Sequence, residues 1–512
     1  MTTLNSCEIH LTLRPEQSRV LDRFLEAWGP PVWIVGGMVR DRLLGLAPGH
    51  DLDLAVPRSN QLEDQRWVPD DWHAFCLDPR RQIWRLASHP LSEREPVGTI
   101  DLVVLGDGRI EADLGQRDFR VNAMAVQVKS VVGTNVTGTL VDPFGGRVDL
   151  AQRTVVPVSE HNMLSDPLRM LRGVRLSHSH GLTLSAELRS FIGQHGNLAG
   201  QAARARVGPE VWKLVTSPAS SIRDVAYDLN EMNLWPLVAD REGGPFILSE
   251  NDVRWLSRLQ AWTRSTKPDR SQCQRSPSPT EQDIDAVIDL RQMARAYLGP
   301  GRMRGDWWVL AAVLWLILPN TTAASPSAGM KRWARRCAFA SAEQRWLGSV
   351  GAALDHVWRQ WVHPPTRCHA REPTMIECNR LMEKTGWHLG RPALQDACAI
   401  AAPLARATGV GAQTRLTAIQ HAVNRLWRLG QGEPVQPLAT GRDLLNWYAL
   451  APGPEVGRLL TLLVEAQVMD RVTSLAEARV FLDGLLYHRS ATDPFQGPNT
   501  SRLQRRTCNG TS

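Results

Sequence analysis

Polar and apolar positions recur along this chain with two different periods, and the change from one to the other divides it. Residues 15–28, PEQSRVLDRFLEAW, put Val20, Leu21, Phe24, Leu25 and Trp28 on one helical face, with Pro15 suited to the first turn. Gly29-Pro30-Pro31 stops that helix, and VWIV at 32–35 reads as a short buried strand. Gly36-Gly37 then turns the chain into a second helix, MVRDRLLG, which Gly45 ends. Strand patterns follow at 50–56 (HDLDLAV), across a hairpin at 73–88 (HAFCLD and IWRLAS joined by PRRQ) and at 98–105 (GTIDLVVL). Strand, turn, helix and further strands predict an α/β domain over residues 1–150. From residue 160 the period is helical nearly to the end. Stretches rich in Pro, Ser and Thr at 264–283, 319–329 and 363–374 predict loops, and 488–512 has the composition of a disordered tail. The longest apolar run, WWVLAAVLWLIL at 307–318, is shorter than the roughly 20 residues a bilayer requires, so it predicts a buried helix and no membrane partner.

The strand HDLDLAV breaks its own pattern. Period-two geometry sends Asp51 and Asp53 to one face and Leu52, Leu54 and Val56 to the other. Aspartate is a poor strand former, and like charges side by side repel. The glycines before it offer a reason. Gly36 and Gly37, between a strand and a helix, let backbone N–H groups approach a phosphate, with the helix N-terminus adding partial positive charge. Arg40, one turn into that helix, can fork onto phosphate oxygens. Same-face carboxylates nearby then suit Mg2+, which takes carboxylate and phosphate oxygens together. Taken singly, each feature has an ordinary reading as a turn, a surface pair or an exposed strand face. Their order between residues 36 and 53 favours a phosphate site.

A third acid, Asp101, sits among apolar residues in GTIDLVVL, where it is costly without a cation or donor; Asp107 and Asp113 are alternatives for the same part. Three carboxylates on neighbouring strands match two-metal phosphoryl or nucleotidyl transfer. In IEADLGQRDFRVNAMAV at 110–126, Arg117 can neutralise a triphosphate and Asn122 can hydrogen-bond a sugar or phosphate, unless the stretch is only a helix start. VDPFGGRVDL at 141–150 is explained by turn chemistry. In SDPLRMLRGVRL, Asp166, Arg169, Arg172 and Arg175 recur every third residue and are expected on one side of a helix. An Asp and an Arg one turn apart can mimic a Watson–Crick edge; the plainer alternative is a solvated face with an ion pair.

Composition adds limits. The 512 residues suffice for two to four domains, and 43% apolar content is ordinary for a globular chain. Net charge is +7 with a pI near 9.2, which suits an anionic partner without naming one. Most of the 19 Trp lie beyond residue 210 in helical stretches and are read mainly as core filler. The eight cysteines form no CxxC pair and read as reduced, cytosolic thiols; Cys368 with His369 is the nearest approach to a ligand pair. MTTLNSCEIHLTL lacks the basic start and apolar core of a signal peptide. GGMVRD lacks the G-x-G-x-x-G of a dinucleotide-binding oxidoreductase.

Together these motifs resemble the class II tRNA nucleotidyltransferase and bacterial poly(A) polymerase family. VGGMVRDRLLGLAPGHDLDLAV, DLGQRDFRVNAMA, DPFGGRVDL and DPLRMLRGVRL follow the family's order, and ARVGPEVWKLV at 205–215, with Arg206 and Glu210, resembles its neck helix. The similarity is dense over 30–215 and returns at 437–478. It implies a polymerase-β-like head with a five-stranded mixed sheet at 1–150, neck and nucleotide-selecting helices at 151–245, a helical body at 246–430 and a tRNA-binding tail at 431–487. It also implies that Asp51 and Asp53 carry Mg2+ with Asp101 as third carboxylate. By the same likeness Gly36, Gly37, Arg40, Arg117 and Asn122 hold the nucleotide's phosphates and sugar, Asp166 and Arg169 read the base, and Arg172 and Arg175 help hold the nucleotide.

The implied activity is template-independent addition of CMP and/or AMP, from CTP and ATP, to the 3′ end of tRNA in the cytoplasm, with no DNA partner. A CC-adding specialist, a poly(A) polymerase and a catalytically silent RNA-binding protein are the alternatives. Ser165, Gln116 and Arg120 depart from the family's usual residues. Only nine residues separate Asp101 from Glu111, where many members carry a longer flexible segment linked to the switch from C to A addition. That shortness points toward CC addition.

Overall fold

The computed structural model describes residues 7–490 except 58–67, 80–81, 89–97, 107, 197, 199–202, 240–246, 265–296, 300–301, 319–325, 359–373, 385–386, 409 and 431–433. Most of the expected Pro- and Ser-rich loops, Asp107, Cys273, the Cys368-His369 pair and Cys508 therefore lie outside the described residues. The chain divides into two compact units, Met1–Asp355 with Ala399–Ala407, and His356–Cys398 with Thr408–Ser512.

In the first unit, β1 (Glu8–Thr12) leads into α1 (Pro15–Trp28), whose Val20, Leu21 and Phe24 are buried as the spacing requires, with Trp28 stacked on Phe24. Then come β2 (Trp33–Val35), α2 (Gly37–Leu43), β3 (Asp51–Pro57), the hairpin β4 (Trp72–Asp78) and β5 (Ile83–Ser88), and β6 (Thr99–Leu105). After α3 (Ile110–Leu114) and a single 3-10 turn at Arg120–Asn122, a second hairpin pairs β7 (Ala125–Val132) with β8 (Asn135–Val141), followed by α4 (Gly146–Ala151). One mixed sheet joins them in the order β1-β8-β7-β2-β3-β6-β5-β4. It has eight strands where the family resemblance implied five. The strand patterns marked from sequence are β2 to β6; β1, β7 and β8 extend the sheet beyond β2, with β7–β8 closing around Gly133 at φ 61°. Within it only β3 and β6 run parallel, and their apolar residues Leu52, Leu54, Ile100 and Leu102 are at most 1% exposed.

Helices follow. Here α5 (Glu160–Ser165), α6 (Leu168–His180), α7 (Ala186–His195) and α8 (Arg204–Thr216) are the ones that bear on the site. Farther along, Arg304–Ile317 is the buried helix that the apolar run predicted: Trp307 packs against Trp212, Phe339 and Trp346. Those tryptophans fill core, as read from the sequence. In the second unit, helices Gly441–Tyr448, Pro454–Val468 and Leu475–Ser490 gather Leu444, Leu459, Leu463, Val472 and Leu482 into one cluster. The last of these helices continues three residues into the stretch expected to lack structure; the remainder lies outside the described residues. The described cysteines are free thiols, and no described helix is long and apolar enough to cross a membrane.

The turn DPFGG is set by two devices: Asp142 accepts from the amides of Gly146 and Arg147 at 2.7 and 2.9 Å, and Gly145 adopts φ 79°. Gly146 itself lies against the Arg120 carbonyl, so a methyl there overlaps backbone, whereas Gly193 in α7 has open space around it. We therefore expect Gly146→Ala to lower stability by about 1–3 kcal/mol and Gly193→Ala to be neutral or to raise it by up to about 1 kcal/mol. Thermal unfolding of the two variants checks this, and equal midpoints count against the packing described at Arg120.

Candidate active site

β2 ends at the sheet's centre, and the chain turns through Gly36 at φ 73° straight into α2. A Cβ on Gly36 would lie 2.8 Å from Arg117 Nη1 and 3.0 Å from Asp53 Oδ2. Only glycine suits that φ and that closeness together. Register then gathers the acids. Val35 faces Asp53 across β2 and β3, and Asp53 faces Asp101 across β3 and β6. Asp51, two residues before Asp53 on the same strand face, accepts from Thr99 Oγ1 at 2.5 Å.

The three carboxylates differ in surroundings. Asp101 receives both arms of Arg85, Nε to Oδ1 and Nη2 to Oδ2, each at 2.7 Å. Burial pushes the Asp53 carboxyl up to about 6; Arg117 opposes that, while Asp101 and Asp51 add to it. An acid raised in this way marks a site short of positive charge. Asp51 and Asp53 offer oxygen donors only, the set that a hard divalent cation such as Mg2+ takes, so the residues fit such an ion. Among the described residues, no group of three His, Cys, Asp or Glu is arranged to hold a metal. The fitting set is thus the pair, with Asp101 engaged by Arg85.

Around the pair runs a chain of charges. Arg40, 7% exposed, donates through Nε to Asp41 at 2.8 Å and through Nη1 to Asn122 Oδ1 at 2.6 Å. His180 Nε2 lies 3.0 Å from Arg40 Nη2 and 3.1 Å from Asp41 Oδ1. Burial lowers the Arg40 pKa, and Asp41 partly offsets that. Asn122 passes the connection on, its Nδ2 donating to Asp118 Oδ1 at 3.0 Å, and the Phe119 amide donates to the same oxygen at 2.8 Å. Arg172 Nη1 stands 3.3 Å from Asp118 Oδ2, and Glu210 on α8 takes Arg172 at 3.5 Å and Arg175 at 2.6 Å. Burial works to raise the Asp118 carboxyl, but Arg172, Asn122 and the Phe119 amide outweigh it and hold it below the ordinary range. Arg117 is itself held by Asp113, with Nε and Nη2 at 3.0 and 2.9 Å from Oδ2.

Asp166 and Arg169 are placed differently from the sequence expectation. Asp166 does not lie on the helix of the three arginines. It joins α5 to α6 at φ -142° and ψ 88°, outside the helical region, because Pro167 disfavours a helical residue before it. Its carboxylate takes both arms of Arg206 on α8, at 3.2 and 2.5 Å, and lies 3.9 Å from Arg169 Nε. Arg169 donates instead to main-chain carbonyls, Gln116 at 2.8 Å, Asn162 at 3.1 Å and Arg117 at 3.4 Å. Its Nε is buried without a hydrogen-bond partner. Gly36, Gly37, Arg40, Asp51, Asp53, Asp101, Arg117 and Asn122 thus meet around the β2–α2 turn, Arg172 reaches it through Asp118, and Arg175 is joined to Arg172 by Glu210. Sequence reasoning missed Arg85, Asp118 and His180. Of these, only Asp118, an acid inside a motif already quoted, carried a readable signal.

The Poly A polymerase head domain family matches residues 80–156. A CC-adding tRNA nucleotidyltransferase of Thermus thermophilus is 29% identical over 479 residues, 90% of this chain and 94% of that protein. An A-adding tRNA nucleotidyltransferase of Deinococcus radiodurans is 28% identical over 90% of this chain and 96% of its own length. Among solved structures, the Bacillus stearothermophilus CCA-adding enzyme in complex with CTP shares the fold, with a TM-score of 0.55 at 18% identity over 93% of this chain and 98% of that one.

Because the folded pKa of Asp118 is depressed, its stabilising effect is present above the unfolded carboxylate value of about 3.9 and is lost as pH falls through the folded value. Asp118→Asn should therefore unfold more easily than the unaltered chain at pH 7, by about 3 kcal/mol, and the difference should shrink as pH approaches 3. Urea unfolding from pH 7 to pH 3 measures this. A difference that stays constant across the range would remove the charge of Asp118 from the explanation.

Proposed function

The chain belongs to the class II tRNA nucleotidyltransferase and bacterial poly(A) polymerase family, and from that premise we propose that it is a CC-adding enzyme. It is a tRNA 3′-nucleotidyltransferase acting with CTP or ATP; the proposal concerns which nucleotides it adds and which residues do the work. One observation carries the choice. β6 ends at Leu105 and α3 begins at Ile110, so the segment expected to govern a change from C to A is reduced to a short connection. The Thermus relative, similar along nearly its whole length, is named for CC addition. The A-adding Deinococcus relative supports a second reading.

In the proposed reaction the 3′-hydroxyl oxygen of the RNA bonds to the α-phosphorus, the α–β anhydride bond breaks and pyrophosphate leaves. Enzymes of this family use a divalent metal; we assign Mg2+ to Asp51 and Asp53. An ion held by these two carboxylates would supply Lewis-acid polarisation of phosphate oxygens and of the attacking hydroxyl. The chain's own groups do the rest. The amides at the start of α2 and the guanidinium of Arg117 face the phosphates. Asp118, Arg172 and Glu210 keep the selecting helix registered on the head, and Arg40 and Asn122 brace the glycine turn from below. We assign base reading to Asp166 and Arg169 from their place in the motif; to meet a base, Asp166 must exchange its bonds to Arg206 and Arg169 its bonds to the main-chain carbonyls. Asp101 keeps Arg85 at the rim. A cytoplasmic site of action belongs to the same reading.

Transcripts of tRNA ending at the discriminator base, at one C and at two Cs, each given CTP, ATP or both, test this at single-nucleotide resolution. A stop after two Cs is expected. A-addition to the CC end alone would support the second reading, and growth to CCA would overturn the specialist assignment. Asp53→Ala should abolish incorporation while leaving tRNA binding within about twofold, since metal-dependent chemistry rather than RNA affinity is removed. Retained incorporation in that variant would dismiss the carboxylate assignment.

A further inference from the structure

The sheet face that carries the aspartates continues past Asp101. Residues directly opposite one another across β3, β6, β5 and β4 run Asp53, Asp101, Arg85, Phe75, and the neighbouring row runs Asp51, Thr99, Ala87, His73. Cross-strand partners point to the same face, so Phe75 and His73 share the face of the carboxylate pair. The opposite face is core, where Trp72 is 3% exposed and Leu86 1%. On the carboxylate face Phe75 is 46% exposed and His73 is exposed as well. β4 is the edge strand. Between the acids and the ring lies the Arg85 guanidinium, fixed by its two bonds to Asp101.

We propose that Phe75, His73 and Arg85 form the seat for the RNA nucleotides immediately upstream of the reacting 3′ end. The proposal rests on the nucleotidyl-transfer reading above. Phe75 stacks on a base, and Arg85 faces the phosphate that links it to the terminal nucleotide. Three features select RNA as the occupant. The strip is continuous with the reacting face, so a chain whose end lies at Asp51 and Asp53 must leave across some part of it. Phe75 is three strands from Asp53, roughly 14 Å at about 4.8 Å per strand, which is too far for the reacting nucleotide and suited to its predecessors. An exposed aromatic beside a fixed cation is the pairing that single-stranded nucleic acid uses, since every base has a π-face and every linkage a negative charge. An edge strand protected only against aggregation would carry charge or Pro rather than an open Phe.

The test uses the full chain and a tRNA transcript ending one C after the discriminator base, with 2-aminopurine at the discriminator, the unpaired nucleotide that precedes the reacting end. Unaltered protein and Phe75→Trp should quench its fluorescence on binding, and Phe75→Ala should not. Steady-state kinetics should show KM for the RNA raised about tenfold in Phe75→Ala, with kcat and KM for CTP changed by less than about twofold. Phe75 is exposed, so the variant keeps its fold, which an unchanged thermal midpoint verifies. Unchanged quenching and RNA KM in Phe75→Ala would overturn the proposal. So would a concentration-dependent dimer that Phe75→Ala abolishes while RNA kinetics stay the same, because the strip would then serve a second copy of this chain. A protein that adds nothing to any tRNA would overturn the nucleotidyl-transfer reading itself, and this is seen before any variant is compared.

Discussion

A carboxylate closed off from water must be matched by charge and hydrogen bonds, and in this protein Asp118 is that carboxylate. It is 5% exposed and engages Asn122, the Phe119 amide and Arg172 at once. Through Asn122 it fixes Arg40 under the glycine turn, and through Arg172 it reaches Glu210 on the neck, which also takes Arg175 of the arginine helix. Breaking one link would leave the others buried and unpaired, which costs more than the link itself contributes. The turn beside the aspartates and the helix bearing the arginines are therefore held as one arrangement.

That arrangement explains what could be read from the chain. The β2–turn–α2–β3 sequence was legible because each part has a local cause: a Gly pair, an apolar strand and a period-two alternation. Asp51 and Asp53 were legible as a pair because alternation alone assigns their face. Arg85 was not, because its place opposite Asp101 follows from the register of β5 on β6, a long-range pairing that no local pattern encodes. His180 stayed hidden for the same reason, standing 139 positions from Asp41 along the chain. Asp166 was assigned to the helix by its spacing from Arg169, and the restriction imposed by Pro167 overrode that spacing. The outer strands β1, β7 and β8 were not marked from the sequence; β1 joins the sheet by pairing residues 8–12 with 135–139, a long-range register that no local pattern encodes.

The departures from the family pattern fall where side chains matter least. Gln116 stands in place of an arginine, yet the structure uses its carbonyl, which accepts from Arg169 at 2.8 Å and which any residue supplies. Arg120 replaces a threonine, and its amide donates to the Val156 carbonyl while its own carbonyl packs against Gly146. Ser165 ends α5 and returns its hydroxyl to the Asn162 carbonyl at 2.9 Å, leaving Asp166 to Arg206. Main-chain groups tolerate such exchange because they are identical at every non-proline position.

Side-chain requirements concentrate instead at Gly36, Asp118, Arg169 and Glu210, each of which meets more than one partner in confined space. Gly36 is the tightest of these, since any Cβ there would lie between the guanidinium of Arg117 and the carboxylate of Asp53. That contact sets the separation of the two opposite charges nearest the β2–α2 turn. A cation on the aspartates and a phosphate on the arginine would have to share the same gap, so the absence of a single methyl group at Gly36 keeps that gap open. On the proposed placement of cation and phosphate, the geometry for nucleotidyl transfer thus rests on an atom that the chain leaves out.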